Sequence, residues 1–381
     1  MRGSPKSIRL INRATPLTSK GLIRKEPPVS ALFSPLTLRT TSFPNRLWVA
    51  PMCQYSAVDG VVGEWHRVHL GSFATGGFGL VMSEATAVSP EGRISIACPG
   101  IYRDDQEEAW RGVVEFLHSQ GTLAGMQLAH AGRKGSTMQP WADHPFASAQ
   151  EGGWEAVAPS AIPFEGYPTP RALTIDDLAD VRQDFVAAAT RALRAGFDVL
   201  EIHAAHGYLL HEFMSPLSNQ REDEYGGSLE NRARLLFEIA SDLRALSPTP
   251  LFVRVSATDW TEGGLTVDDT AWVAEQLMER GVDLVDVSSG GNVAGAAIPI
   301  GPGYQVPLAE ALRSRGVTVS AVGLITTADQ AEEIVAAGRA DAVMVARAAL
   351  RNPRFALEAA EALGEVIAWP VQFDRARTVR A

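Results

Sequence analysis

Eight short apolar runs recur along the chain, at 47–50, 79–82, 123–128, 199–202, 251–255, 284–287, 317–321 and 342–345. Between them lie amphipathic stretches whose apolar positions repeat at helical spacing, at 105–120, 174–195, 228–246, 266–280, 327–337 and 352–362. Acids stand where a helix N-terminus carries partial positive charge: Asp176 and Asp177 after Thr174, Glu230 after Ser228, Asp268 and Asp269 after Thr266. Gly196, Gly281 and Gly338 follow the predicted helix ends, where a positive φ costs glycine little.

Strand alternating with helix is the order of a parallel sheet covered by helices. Eight such units with no break in composition predict an α/β fold, a closed (β/α)8 TIM barrel. The stretch 132–170, rich in Pro, Gly and Trp, is then a structured lid or hairpin inserted after strand 3. A doubly wound open sheet is the structural runner-up, but no strand leads into a G-x-G-x-x-G turn and no P-loop occurs.

Composition narrows the partners. The chain has 381 residues, 46% hydrophobic and 20% charged, enough to bury a large core. A formal net charge of -10 argues against nucleic acid, whose phosphates require clustered Lys and Arg. Two cysteines, Cys53 and Cys98, are too few for a disulfide framework or a four-thiolate iron–sulfur cluster, which fits a reducing, cytoplasmic setting. No apolar run approaches the ~20 residues that cross a bilayer. Residues 1–30 form a basic leader, read as disordered; within 1–25, Arg2, Lys6, Arg9, Arg13, Lys20, Arg24 and Lys25 occur without an acid, and organellar targeting is the alternative.

Barrels of this kind do their chemistry at the C-terminal ends of the strands. Polar residues gather there. Strand four runs into His203, His206 and Tyr208, strand five carries Arg254, and strands seven and eight end in Gly323 and Ala346-Arg347. Loops after strands seven and eight commonly bind phosphate, so Gly323, Ala346 and Arg347 suggest a phosphorylated cofactor. Arg254 inside the mouth calls for an anion; a structural partner such as Glu201 is the alternative. Read alone, His-x-x-His also suits a zinc-dependent barrel hydrolase, with His211 or Glu212 as a further ligand, although H-E-x-x-H is absent.

Several segments carry a resemblance to a known family. They are Ala50-Pro51-Met52-Cys53-Gln54-Tyr55, Glu84-Ala85-Thr86-Ala87-Val88, Gln127-Leu128-Ala129-His130-Ala131-Gly132-Arg133-Lys134 and Glu201-Ile202-His203-Ala204-Ala205-His206-Gly207-Tyr208, followed by Asp223-Glu224-Tyr225-Gly226-Gly227-Ser228 and Gly301-Pro302-Gly303-Tyr304-Gln305. Together and in this order they resemble the old yellow enzyme family of FMN-dependent ene-reductases, in its thermophilic-like branch, over residues 32–375.

The resemblance implies one FMN-binding barrel domain over 31–381. It places Ala50, Pro51, Met52, Cys53, Ala85, Gln127 and Arg254 around the flavin ring, and Gly323, Ala346 and Arg347 at its phosphate. NADPH or NADH is the implied reductant, and the substrates are electron-poor C=C bonds of α,β-unsaturated carbonyl or nitro compounds. His203 and His206 then hold the substrate oxygen, Tyr208 supplies a proton, and Tyr55 and Lys134 line the substrate site. Arg375 reaches a neighbouring subunit's active site, in a homodimer or homotetramer. The family commonly has Gly-Arg where this chain has Ala346-Arg347, so a methyl group narrows the approach to phosphate while the backbone N–H survives. Beside the hydrolase, the competing readings are a flavin-binding protein without turnover and a larger relative with an iron–sulfur cluster, for which the cysteines are missing.

Overall fold

The computed structural model describes residues 30–377; the leader lies almost wholly outside them. Eight strands close into one parallel barrel in sequence order. They are β1 (Leu47–Val49), β2 (Leu80–Ala87), β3 (Leu123–Ala129), β4 (Val199–Ala204), β5 (Leu251–Ser256), β6 (Leu284–Ser288), β7 (Val319–Ala321) and β8 (Ala342–Val345). Every residue of all but β3 is buried, which is why these strands read as unbroken apolar runs rather than as alternation. The predicted (β/α)8 barrel is the observed fold.

The helices follow in turn as α1 (Glu64–Ala74), α2 (Asp104–Ser119), α3 (Ile175–Ala195), α4 (Leu209–Met214), α5 (Leu229–Leu246), α6 (Val267–Glu279), α7 (Val306–Arg313), α8 (Ala328–Ala336), α9 (Arg347–Arg351) and α10 (Phe355–Ala362). Thr174, Ser228, Thr266 and Thr327 accept the backbone N–H three residues on, starting α3, α5, α6 and α8 where the sequence placed their starts. Sheet and helices share one large apolar layer. None of the described helices is long and apolar enough to cross a membrane.

The barrel interior is divided by height. At the N-terminal end, a hairpin of Leu36–Leu38 and Thr41–Phe43 plugs the opening. Phe43, Trp48 and Phe252 stack there within 6.2 Å of one another. Above this floor the inward residues become polar. Gln127, Glu201, Arg254, Asp286 and Ser320 are all buried, so the strands' apolar outer faces hold the barrel while their inner faces are free for chemistry.

Between β3 and α3 the chain forms two short 3-10 turns (Gly132–Lys134 and Ala149–Glu151) and a parallel pair of two-residue strands, Val157–Ala158 with Arg171–Ala172. This inserted lid is ordered, as its composition suggested.

Candidate functional site at the barrel mouth

Strand register sets the floor of the site. Gln127 pairs laterally with Ala85 on one side and Glu201 on the other, while Arg254 pairs with His203 and Asp286, and Asp286 with Ser320. Neighbours in register then bond. Gln127 Nε2 donates to Glu201 Oε2 at 3.0 Å, and Ser320 Oγ donates to Asp286 Oδ1 at 2.7 Å. Arg254 Nε lies 2.9 Å from Asp286 Oδ2, off the N–H axis, so this is a close ion pair rather than a directed hydrogen bond. The structural partner of Arg254 is thus Asp286 rather than Glu201, the alternative weighed from the sequence. Burial pushes the Glu201 carboxyl up to about 8 despite the opposing charge of Arg254, and Asp286 is raised as well. One guanidinium therefore stands between Asp286, its ion-pair partner, and a Glu201 carboxyl that stays largely protonated at neutral pH.

Among the described residues, no directed hydrogen bond is made by the two terminal nitrogens of Arg254, whose ion pair to Asp286 closes through Nε. They face a cavity of about 150 Å³ lined by Arg254, Gly323, Ala346 and Arg347, with Tyr304 and Gln305 closing one side. Gly323 has φ +129°, and a Cβ there would meet Gln305 Nε2 at 3.0 Å and Tyr304 Cε1 at 3.2 Å. Ala346, by contrast, has a negative φ of -114°, outside the left-handed region that favours glycine. The glycine common at this position is not required by the backbone. Arg347 beside a hollow that a side chain would fill suits an anionic phosphate ester, and the Arg254 guanidinium in the same cavity suits negative charge on a ring next to it, so these residues fit the FMN that the sequence implied.

Ala50, Pro51, Met52 and Cys53 leave the top of β1 along the mouth, and Ala50 is tied to β8 through Ala50 N to Val345 O at 3.0 Å. Glu84, buried beneath them, accepts the Gln54 N–H at 2.8 Å and lies 3.2 Å from His66 Nε2. Sequence reasoning passed over this acid as a positioning group, because the partner histidine sits on α1.

At the end of β4 the ring centroid of His203 is 5.2 Å from His206 and 5.0 Å from Tyr208. His203 Nδ1 accepts the Ala205 N–H at 3.2 Å, so Nε2 carries the hydrogen, and no described residue accepts it. Burial and the charge of Arg254 hold both imidazoles well below their ordinary pKa, hence neutral. His206 Nε2 lies 2.7 Å from Ser288 Oγ. A hydrogen on His206 Nδ1 is free for a ligand in the tautomer in which Ser288 turns its single hydrogen from Gln305 Oε1 to His206 Nε2. Ser288, at the polar end of β6 and 3.3 Å from Gln305 Oε1, joins the site although its place in the sequence assigns it no role. Burial pushes the Tyr208 phenol well above its ordinary value, so it stays protonated.

His206 is held in an unusual backbone, φ 60°. Its N–H donates to Ser256 Oγ at 2.9 Å, and Lys134 Nζ donates to its carbonyl at 2.8 Å and to Gly291 O at 3.0 Å. The Lys134 ammonium, lowered to about 8 by burial, is thus engaged in joining the loops after β4 and β6. A Cβ on Gly207 would meet Gly291 O at 2.2 Å, and one on Gly291 would meet His206 Cα at 2.6 Å, so the two backbones pack directly.

Tyr55 lies at the mouth edge, its ring 5.9 Å from the lid's exposed Trp141. Arg375, in the terminal turn Val371–Ala376, is exposed. That turn lies beside Phe78, Gly121 and Thr122, which precede β2 and β3, so Arg375 is not brought to its own chain's mouth. His211 instead pairs with Asp259 at 3.0 Å, and Glu212 accepts the Arg133 N–H at 2.9 Å. Neither joins His203 and His206, and among the described residues no three His, Cys, Asp or Glu side chains converge to hold a metal.

Comparison with known proteins adds independent findings. A family model described as the NADH:flavin oxidoreductase / NADH oxidase family matches residues 31–365. An NADPH dehydrogenase of Geobacillus thermodenitrificans is 48% identical over 91% of this chain and 98% of its own. An NADH:flavin oxidoreductase of Gibberella zeae is also 48% identical, over 90% of this chain and 88% of its own. Among solved structures, morphinone reductase superposes with a TM-score of 0.74 at 32% identity, over 90% of this chain and 91% of that one. A 2-naphthoyl-CoA reductase complex reaches 0.80 at 26% identity, and this chain spans 52% of that larger one.

Proposed function

The chain belongs to the NADH:flavin oxidoreductase / NADH oxidase family, of old yellow enzyme type, and from that premise we propose that it reduces electron-poor C=C bonds of α,β-unsaturated carbonyl or nitro compounds. It is an FMN-dependent oxidoreductase that uses a reduced nicotinamide. Bound at the mouth, FMN supplies two-electron chemistry between the nicotinamide and the acceptor.

The observation that carries the substrate reading is the set of neutral donors above the polar floor: His203 Nε2–H, a hydrogen on His206 and the protonated Tyr208, grouped within ring distances of 5.2 Å and 5.0 Å. Uncharged N–H donors suit an oxygen that is neutral on arrival and gains charge during reaction, because they stabilise the developing charge without binding a preformed anion as strongly. Tyr208 then protonates the α-carbon. Arg254 stabilises negative charge at the ring edge, with Asp286 fixing its orientation and Gln127 held beside it by Glu201. Gly323, Ala346 and Arg347 hold the phosphate. Pro51, Met52, Cys53 and Ala85 form the wall against the ring, and Tyr55 bounds the substrate. Lys134 acts by positioning His206 rather than as a free cation.

Arg375, exposed and remote from its own mouth, serves a neighbouring subunit in a homodimer or homotetramer. The setting is cytoplasmic. The deciding experiment is anaerobic: the yellow protein is bleached by NADPH, or by NADH, and then mixed with 2-cyclohexenone or a nitroalkene. Prompt return of the flavin absorbance supports the reading. A protein that bleaches yet returns only with oxygen is an oxidase, and the alkene assignment is lost.

A further inference from the structure

Cys53 and Cys98 are the only two cysteines in the chain, and the fold sets them side by side. The segment leaving β1 runs against the loop after β2: Ala57 N donates to Ala97 O at 2.9 Å, and Gly100 N to Gly60 O at 2.9 Å. Cys98 belongs to a small buried cluster, and Cys53 packs against that same cluster. Around them pack Ala85, Ile94, Ala129 and Ala131, with Tyr55 and Tyr208 at the edge. Ser95 Oγ lies 3.3 Å from Cys98 Sγ and fixes its far side. Nothing in the reduction of an alkene needs a second thiol at this place.

We propose that Cys53 and Cys98 are a site of oxidative modification, closing to a reversible disulfide at the rim of the flavin site when the protein meets hydrogen peroxide. Thiols that share one small cluster, on two segments joined by backbone hydrogen bonds, need only side-chain rotation to reach S–S geometry. The reaction balances as two thiols and one peroxide giving one disulfide and two waters. One sulfur attacks a peroxide oxygen, the O–O bond breaks, and the first water leaves a sulfenic acid. The second sulfur then attacks that sulfenic sulfur, the S–O bond breaks, and the second water departs. Both sulfurs are oxidised and the peroxide is reduced.

The pair is also electronically divided. The neighbouring Cys53 holds the Cys98 thiol below its ordinary value, whereas Cys53 itself is pushed up, so Cys98 is the more readily ionised and the better nucleophile of the two. Cys98 is buried, which disfavours a bridge to another chain, while Cys53 is half-exposed at the mouth and marks the path for a peroxide the size of two waters.

The proposal is independent of the alkene reading, since its primary readout is covalent. The holoenzyme is treated with hydrogen peroxide, free thiols are alkylated in denaturant, and the chain is weighed and digested with trypsin. Expected is a loss of about 2 Da with both thiols disappearing together. The peptide 47–67 should be joined to 94–103, and dithiothreitol should restore both thiols. Cys98→Ser, which keeps a hydroxyl beside Ser95, should retain flavin reduction by nicotinamide yet form no such bridge. Oxygen added to one cysteine while the other remains alkylatable, or two thiols surviving peroxide that oxidises methionines, overturns the proposal.

Discussion

Arg254 on β5 and Asp286 on β6 occupy paired register positions, and their side chains meet at 2.9 Å in a place where Asp286 is fully buried. Removing one member leaves a buried charge without its counterpart. Asp286→Ala should therefore cost about 3–5 kcal/mol of folding stability. Urea unfolding of the apoprotein measures it, and a loss below about 1 kcal/mol, the range of exposed pairs, would show that the pair is not a buried one.

Glu201 predicts a dependence on pH with a definite sign. Its carboxyl titrates near 8 in the folded chain and near the ordinary 4.5 when unfolded, so folding takes up a proton between those values. Its contribution to stability falls as pH rises from about 4.5 to 8 and levels above. Glu201→Gln keeps an acceptor for Gln127 but cannot ionise, so its stability should gain on the wild type across that window. Parallel stability curves for the two proteins would count against a neutral Glu201.

His203→Ala combined with His206→Ala should leave the bound flavin spectrum largely intact and slow alkene reduction by several orders of magnitude, since donors of this kind contribute roughly 3 kcal/mol each. Stopped-flow reoxidation by 2-cyclohexenone is the measurement. Rates near wild type would remove the oxygen-holding role.

For Tyr208→Phe the two halves of the cycle should separate. Flavin reduction by nicotinamide should proceed at close to the wild-type rate, because the phenol has no part in it, whereas reoxidation by the alkene should slow about 10²- to 10⁴-fold. Equal slowing of both halves argues for a packing role instead.

Gly323→Ala places a methyl group 3.0 Å from Gln305 Nε2 at a φ of +129°. The strain should amount to about 1–3 kcal/mol and fall on FMN affinity. Ala346→Gly, at a negative φ, should leave that affinity nearly unchanged. Fluorescence titration of the apoprotein with FMN compares them; the opposite order would relocate the phosphate.

The barrel was legible in the sequence because strands buried on both faces leave unbroken apolar runs, and because threonine and serine caps mark where α3, α5, α6 and α8 begin. Helix α1 was not: Trp65 and Val68 lie exposed on it, blurring its apolar stripe, and Gly63 offers no capping side chain. The histidines, the tyrosine and the phosphate-side residues were legible because they stand at strand ends. Their partners were not. Register decides that Arg254 faces Asp286, and register between strands leaves no trace in the order of residues. Lys134 looked like a substrate ligand for the same reason, since nothing local announces the carbonyls of His206 and Gly291. The leader's role rests on residues outside those described.

The backbone contact between Gly207 and Gly291 has a practical bearing on redesign. With no room for even a methyl group between these turns, their shape cannot be altered piecemeal, and a library spread over residues 206–207 and 290–291 would spend most of its members on misfolded chains. Adaptable positions lie across the mouth, where Trp141 is exposed to solvent and Tyr55 meets it edge-on. Selection for bulkier alkenes is best begun there.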